Sequence, residues 1–204
     1  GAARAAGYRP SRSRGCAGPG AAANRSNGST SARSSGSSGS SRRTEPVLRT
    51  PSARELSAAR RHGNAAPCQV SRITDGDTVA CADGRRIRLL LIDAPELSQR
   101  PWGTRARDAL ARLAPLGAVV GVEHDVQERD RYNRTLAYLY TTSGRMINLA
   151  MAESGYVVAS VYPPNVQHVE RIRAGVVQAR SQRLGLWATP AFSCLPADHR
   201  RGQC

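Results

Sequence analysis

Residues 75–96, DGDTVACADGRRIRLLLIDAPE, place several acids around a short aliphatic run. Its carboxylates include Asp75, Asp77, Asp93 and Glu96, and Arg88 lies just before the run. Acidic side chains seldom lie inside or beside such an apolar segment unless a partner satisfies their charge. A hard divalent cation held by carboxylate oxygens would do so, and it would leave an arginine to face a phosphate.

Asp77 and Asp93 are the pair best placed to hold such an ion. Asp77 follows a tight turn and Asp93 ends a predicted strand, so pairing of the strands would bring the two carboxylates to one rim of a sheet. Two carboxylates, a backbone carbonyl and waters suit Ca²⁺ or Mg²⁺. Asp75, in the Asp-Gly turn itself, is expected to shape the turn.

Three further charged side chains complete a set that could attack a phosphodiester. Glu96 is positioned to orient or deprotonate a water molecule. Arg88 and Arg134, the latter in the segment DRYNR, would neutralise the charge that develops on the phosphoryl oxygens. Each feature alone has an ordinary structural explanation, but their joint occurrence at these spacings favours the catalytic one.

Strand geometry sets one condition on this site. Arg88 and Asp93 lie five positions apart, so a regular strand would place them on opposite faces. We therefore predict that the backbone leaves regular strand geometry near Asp93, where Pro95 makes this easy.

The remaining pattern predicts an α+β fold. Asp75-Gly76 and Asp83-Gly84 are hairpin signals, and β-branched and apolar runs predict five strands, at 68–74, 77–82, 85–92, 118–124 and 135–141. Apolar spacing predicts three α-helices, at 103–114, 147–154 and 167–183. Five strands with a helix between the third and fourth predict a five-stranded OB-fold β-barrel, a fold that binds oligonucleotides and oligosaccharides.

Composition divides the chain of 204 residues into three parts. Residues 1–66 are rich in Gly, Ser, Ala and Arg and predict a disordered tail, with a transient helix at 52–62. Residues 67–190 form the predicted domain, and 191–204 a C-terminal tail. The net charge of +15 makes an anionic partner plausible. No apolar run is long enough for a transmembrane helix, and we expect no membrane partner.

Cysteine spacing bears on the compartment. Cys68 and Cys81 bracket the first Asp-Gly turn, so hairpin pairing would bring them near disulfide range. A disulfide there favours an exported protein, secreted or periplasmic, whereas two buried thiols would fit a cytosolic one. The sequence leaves the pairing of Cys16, Cys194 and Cys204 open.

Three ordered motifs give the chain a resemblance to the staphylococcal nuclease (thermonuclease) family, over roughly residues 69–187. The motifs are DGDTV at 75–79, RLLLIDAPE at 88–96 and DRYNRTLAY at 130–138. Asn133 stands where the family usually has Gly. After Gly, Asn is the residue best tolerated at positive φ. None of the departures removes a charged group of the site.

The resemblance implies an OB-fold barrel with three helices and a Ca²⁺-dependent endonuclease that acts on DNA and RNA, with single strands preferred, and leaves 3′-phosphates. It implies a monomer. By position, Asp77, Asp93 and the backbone carbonyl of Ala94 resemble the metal ligands, and Arg88, Glu96 and Arg134 the catalytic residues. Tyr132 and Tyr162 resemble substrate-binding aromatics.

Two other functions compete with this one. A catalytically weak SNase-like module that binds nucleic acid or protein would be expected to have lost part of the charged set, yet all five side chains are present. A glycosidase using Asp93 and Glu96 as an acid pair would have little use for two arginines.

Overall fold

The computed structural model describes residues 48–204. The predicted disorder of residues 1–47 therefore lies outside the described residues. Within the described part, seven strands, five α-helices and one 3₁₀ helix follow one another along the chain. The strands are β1 Ala65–Ile73, β2 Thr78–Cys81, β3 Arg86–Leu89, β4 Ile92–Asp93, β5 Val119–Glu123, β6 Thr135–Tyr140 and β7 Val158–Ala159. The α-helices are α1 Ala53–Arg60, α2 Trp102–Leu113, α3 Ile147–Glu153, α4 Val169–Ser181 and α5 Pro196–Arg200, with the 3₁₀ helix at Gly185–Ala188.

Five strands close into a barrel in the order β1-β2-β3-β6-β5. All neighbours are antiparallel except β3 and β6, which run parallel. The predicted α+β class and five-stranded OB-fold barrel are confirmed, with α2 inserted between the third and fourth barrel strands as expected. The core combines inward aliphatic residues of the barrel with residues of the helices; its largest fully buried side chains include Ile87, Leu89, Leu110, Tyr138 and Ile147.

The third predicted strand, 85–92, is in fact two elements. β3 ends at Leu89, and Leu91 adopts a φ of +64° before the short β4 pairs with β7 in a separate two-stranded sheet. A left-handed conformation is costly for a leucine, so the surrounding contacts must hold it. The predicted departure from strand geometry near Asp93 is confirmed, and it falls two residues before that aspartate.

Ordered structure begins earlier than composition predicted. We expected residues up to 66 to belong to a tail, but α1 lies within that range. A capping box starts the helix: the Ser52 hydroxyl accepts from the Glu55 N–H, and the Glu55 carboxylate accepts from the Ser52 N–H. Ala59 is fully buried against β5, where a side chain on Gly121 would come within 2.5 Å of its carbonyl oxygen. The helix lies where a transient one was predicted, at 52–62, but it is ordered and packed on the barrel.

Two disulfides lie within residues 48–204. Cys68 and Cys81 are joined across the β1–β2 hairpin with Cα atoms 5.3 Å apart, the pairing that the Asp-Gly turn predicts. Cys194 and Cys204 are also joined and enclose α5. The segment 191–204, expected as a tail, therefore forms a closed loop with a helix inside it. No helix in the described part of the chain is both long and apolar enough to cross a membrane.

Candidate active site

The bend between β3 and β4 brings Arg88 and Asp93 to the same side. Arg88 donates from Nη1 to the carbonyls of Leu89 and Ile92, at 2.6 and 2.7 Å, and so closes the bend with its own side chain. Its Nη2 lies 3.1 Å from Asp93 Oδ1. Arg88 thus contacts Asp93, a residue that regular strand geometry would place on the opposite face.

Asn148 of α3 fastens the same bend from the opposite side. Its side-chain amide is fully buried and donates to the carbonyl of Leu90 at 2.9 Å, while its Oδ1 accepts from the Leu139 N–H. The amide therefore replaces strand pairing that the bend interrupts. Sequence analysis missed this residue, because one Asn in a helical pattern carries no signal of a partner 58 positions away.

Asp77 and Asp93 converge at one rim of the barrel and are both buried, at 6% and 2% exposed. Asp77 Oδ2 accepts from the Ala94 N–H at 2.8 Å, and Arg88 Nε lies 3.1 Å from Asp77 Oδ1. Burial raises the pKa of the Asp77 carboxyl above its ordinary value, with the guanidinium of Arg88 opposing and the charge of Asp75 adding to the rise. The two buried carboxylates therefore share the guanidinium of Arg88.

The turn before Asp77 is held in place by close backbone packing. Asp75 Oδ1 accepts from the Asp77 N–H at 3.0 Å, so Asp75 has the turn-shaping role that was expected. Gly76 is packed so closely that an added Cβ would lie 2.6 Å from the Cβ atoms of both Ala94 and Ala106. The first turn, the Ala94 segment and α2 are thereby locked together.

Glu96 lies just beyond the buried pair and is more exposed, with 39% of its side chain accessible. Gln99 holds its backbone: the Glu96 N–H donates to Gln99 Oε1 at 2.9 Å, and the Gln99 N–H donates to the Glu96 carbonyl. Gly103 of α2 packs directly on that carbonyl, since an added Cβ would lie 2.0 Å from the oxygen. The contacts of Gln99 and Gly103 thus fix the backbone position from which the Glu96 side chain projects.

Arg134 comes from the loop before β6. Asp130 organises this loop by accepting from the backbone N–H groups of Tyr132 and Arg134 and from Arg134 Nε at 2.7 Å. Asn133 adopts a φ of +58°, in agreement with the expectation for this position. Tyr132 is 56% exposed. Two guanidiniums lie near its ring, with the Cζ of Arg131 at 4.8 Å and that of Arg134 at 5.5 Å from the centroid.

Arg200, from the C-terminal loop, is the charged group of the site that sequence analysis missed. Its Nη2 lies 2.7 Å from Asp93 Oδ2, and its Nη1 lies 3.1 Å from Asp93 Oδ1 and 2.9 Å from Glu96 Oε1. These carboxylates raise the pKa of Arg200 above its ordinary value. The Cys194 and Cys204 pair that encloses it was the available signal, but the sequence alone left that pairing open.

One cleft of about 790 Å³ gathers these groups. It is lined by every residue predicted for the site and by Arg200: Asp77, Arg88, Asp93, Ala94, Glu96, Tyr132, Arg134, Tyr162 and Arg200. Tyr162 is 72% exposed at its edge. The roles of these residues stay predictions, but the structure brings the whole set together.

The oxygen-rich rim fits a hard divalent cation. Two buried carboxylates, with the backbone carbonyl predicted at Ala94, would supply an all-oxygen donor set, the kind that Ca²⁺ and Mg²⁺ prefer. Within residues 48–204 no cluster of three or more Asp, Glu, His or Cys side chains has metal-binding geometry. Water would therefore have to complete the coordination shell.

A closed five-stranded barrel with a charged cleft at one rim defines an OB-fold protein. The comparisons with known proteins agree with this class. The chain belongs to the family described as staphylococcal nuclease homologues, whose model matches residues 86–189. That range includes Arg88, Asp93, Glu96 and Arg134, whereas Arg200 lies beyond it.

Individual relatives cover more than half of the chain. The thermonuclease of Staphylococcus hyicus is 34% identical over 140 residues, which span 65% of this chain and 82% of that protein. The thermonuclease of Staphylococcus intermedius is 32% identical over 58% of this chain and 74% of its own length. The micrococcal nuclease of Shigella flexneri is 39% identical over 60% of this chain and 74% of that protein.

Proposed function

We propose that this protein is a calcium-dependent endonuclease that hydrolyses DNA and RNA, prefers single strands and leaves 3′-phosphate ends. The observation that carries the proposal is the convergence of Asp77, Asp93, Glu96 and Arg134 on one cleft. Family membership supports a nuclease function, because the relatives are nucleases by name. The ion, the substrates and the product ends rest on the motif resemblance.

Glu96 is the proposed acceptor of the proton from the attacking water. Its carboxylate is 39% exposed, whereas the side chain of Asp93 is 3% exposed, so water has access to the first and not to the second. The backbone contacts of Gln99 and Gly103 hold Glu96 at the edge of the buried pair. This difference in exposure separates a proton acceptor from a charge-holding carboxylate.

The two predicted arginines have unequal freedom to bind phosphate. Arg88 directs its guanidinium to Asp77, Asp93 and two carbonyls, which leaves at most one of its five N–H groups for a phosphoryl oxygen. Among the described residues, the guanidinium of Arg134 donates only from Nε, to Asp130. Arg134 is therefore the principal phosphate-binding group, and Arg88 chiefly positions the aspartates.

Asp77, Asp93 and the carbonyl of Ala94 are the proposed holders of calcium. When bound there, the ion would supply positive charge against the charge that develops on the phosphoryl oxygens. The chain's own contribution is to hold the two aspartates in place, through Arg88 and the Ala94 N–H. The same two groups oppose the rise that burial causes in the pKa of Asp77.

Tyr132 and Tyr162 are the proposed contacts to nucleotide bases. Both rings line the cleft and are more than half exposed. An exposed ring offers a stacking surface for an unstacked base, which is worth about 1–3 kcal/mol per base. Single strands present such bases and duplexes do not, and this supports the proposed preference.

The guanidiniums around Asp93 and Glu96 disfavour the glycosidase alternative. Asp93 and Glu96 share the guanidinium of Arg200, and Asp93 also faces Arg88. Arginines suit an anionic substrate such as a phosphodiester, and a neutral sugar would have little use for them.

We further propose that the protein is an exported monomer. Two disulfides within residues 48–204 indicate an oxidising compartment, such as the periplasm or the exterior. Counting thiols in the denatured, unreduced protein tests this. Since four of the five cysteines are paired, at most one thiol is expected.

The test of the proposed function is cleavage of circular single-stranded DNA, which only an endonuclease can open. The wild type is assayed with Ca²⁺ and with excess chelator, next to Glu96→Gln, Arg134→Ala and the control Arg173→Ala on the exposed face of α4. We expect chelator to abolish cleavage, each site variant to lose roughly 100- to 1000-fold, and the control to be unaffected. Full activity in chelator or in Glu96→Gln would overturn the mechanism, and substrate binding without turnover would indicate the binding-module alternative.

A further inference from the structure

The guanidinium of Arg200 contacts two carboxylates of the candidate active site. Arg200 contacts both oxygens of Asp93 and one oxygen of Glu96, all within 3.1 Å. Asp93 is a proposed calcium ligand and Glu96 the proposed proton acceptor. The guanidinium therefore binds two of the groups that calcium and the attacking water would use.

Arg200 is held there by a closed loop and not by the barrel. The Cys194–Cys204 disulfide encloses α5, and the loop is attached to the site segment by two hydrogen bonds. Gln99 Nε2 donates to the Cys194 carbonyl at 3.0 Å, and Ser98 Oγ lies 2.9 Å from His199 Nε2. Both hydrogen bonds come from the segment just after Glu96, so they fix the position of the loop relative to the site.

The Arg200 side chain keeps a path away from the site. It is 43% exposed, in contrast to 16% for Arg88, which is enclosed by the bend that it closes. A solvated guanidinium can leave one carboxylate at modest cost, because its charge is then taken up by water. Arg88 has no comparable escape, so Arg200 is the cation that would yield to another.

We propose that Arg200 is a tethered counter-cation that a divalent metal ion must displace from Asp93, so that the C-terminal disulfide loop sets the metal affinity of the site. The inference rests on the proposed function, since it takes Asp93 as a metal ligand. It adds a determinant that lies outside residues 86–189, the range matched by the family model.

The decisive measurement is the Ca²⁺ dissociation constant by titration calorimetry, without substrate. Arg200→Ala removes the competitor and should bind Ca²⁺ about tenfold more tightly than the wild type, as expected for the loss of charge-assisted hydrogen bonds. Arg200→Lys should fall between the two. Arg201→Ala is the matched control: Arg201 is the next residue and pairs with Asp198, so its removal should leave the affinity unchanged.

The double variant Cys194→Ser/Cys204→Ser tests the tether separately. It leaves the Cys68–Cys81 disulfide intact, which a chemical reductant would not. We expect its Ca²⁺ affinity to rise as well, by less than in Arg200→Ala, since the arginine is present but no longer held. Thermal melts without Ca²⁺ check that each variant is folded.

Two kinds of failure are distinguishable. If the wild type binds Ca²⁺ and Arg200→Ala binds it with equal or lower affinity, Arg200 is no competitor and this inference alone is overturned. If no variant binds Ca²⁺ and the nuclease assay tolerates chelator, the proposed metal dependence falls and the inference falls with it.

Discussion

Arg88 Nη1 donates to the main-chain carbonyl of Ile92 at 2.7 Å, and with this bond the side chain fastens the bend that brings Asp93 alongside it. The same guanidinium then contacts Asp77 and Asp93. Arg88 thus holds the backbone bend and also pairs with the two carboxylates that the bend brings together.

Asn148→Ala should destabilise the protein and impair the site. The variant leaves the carbonyl of Leu90 and the N–H of Leu139 buried without their partner, at about 1–3 kcal/mol for each unsatisfied group. We expect a loss of about 3 kcal/mol in urea unfolding. Gln178→Ala, on the exposed side of α4, should change stability by less than about 0.5 kcal/mol. Equal stabilities of the two variants would show that the amide does not hold the bend.

Gly103→Ala should disturb Glu96 from a distance. The new methyl group would lie 2.0 Å from the Glu96 carbonyl oxygen, a backbone atom that cannot rotate away. Helix α2 or the Glu96 segment must shift, at a cost of about 1–3 kcal/mol in thermal or urea unfolding. We expect nuclease activity to fall further than stability explains. Thr104→Ala, one position along α2, is the control and should retain activity.

Removal of the Cys68–Cys81 disulfide should lower the free energy of unfolding by about 3 kcal/mol. The bond closes a loop across the hairpin with a sequence separation of 13 residues, and loops of this size are worth about that much. The double variant Cys68→Ser/Cys81→Ser is compared with the wild type in guanidinium unfolding. The Ca²⁺ affinity should change little, because this disulfide lies away from the cleft residues; a loss as large as that in Asp93→Asn would contradict this separation.

Asp125 should make stability depend on acid pH. Burial raises the pKa of its carboxyl, but hydrogen bonds from the Gln167 N–H and the Tyr138 hydroxyl outweigh burial and hold the pKa below its ordinary value. Because the folded state favours the ionised form, the contribution of Asp125 is full above the unfolded pKa of about 4. It is lost as the pH falls through the folded pKa.

The check is the free energy of unfolding of Asp125→Asn and of the wild type between about pH 7 and pH 2. The variant should be less stable near neutral pH, and the difference should shrink as the solution becomes acidic. A difference that stays constant with pH would assign the loss to packing. Glu170→Gln, at the exposed start of α4, serves as the control.

The sequence by itself determined the secondary structure of the barrel. Asp-Gly turns, strand-forming runs and helical spacing predicted it, because these patterns depend on neighbours in the chain. The spacing of five positions between Arg88 and Asp93 predicted the bend. A regular strand places residues that far apart on opposite faces, whereas a shared site needs them on one. Every charged side chain that was predicted for the site lines the cleft, but others that also line it, among them Asp130, Arg131 and Arg200, were not predicted as site residues.

Tertiary structure alone decided the remaining features, since each depends on partners far apart in sequence. Helix α1 is stable because Ala59 packs against a glycine some sixty residues away, which composition cannot reveal. Asn148 matters through the carbonyl of Leu90, and Arg200 through Asp93, 107 positions earlier. A sequence pattern records which groups can ionise or donate, but only the folded chain determines which of them are brought within hydrogen-bonding distance.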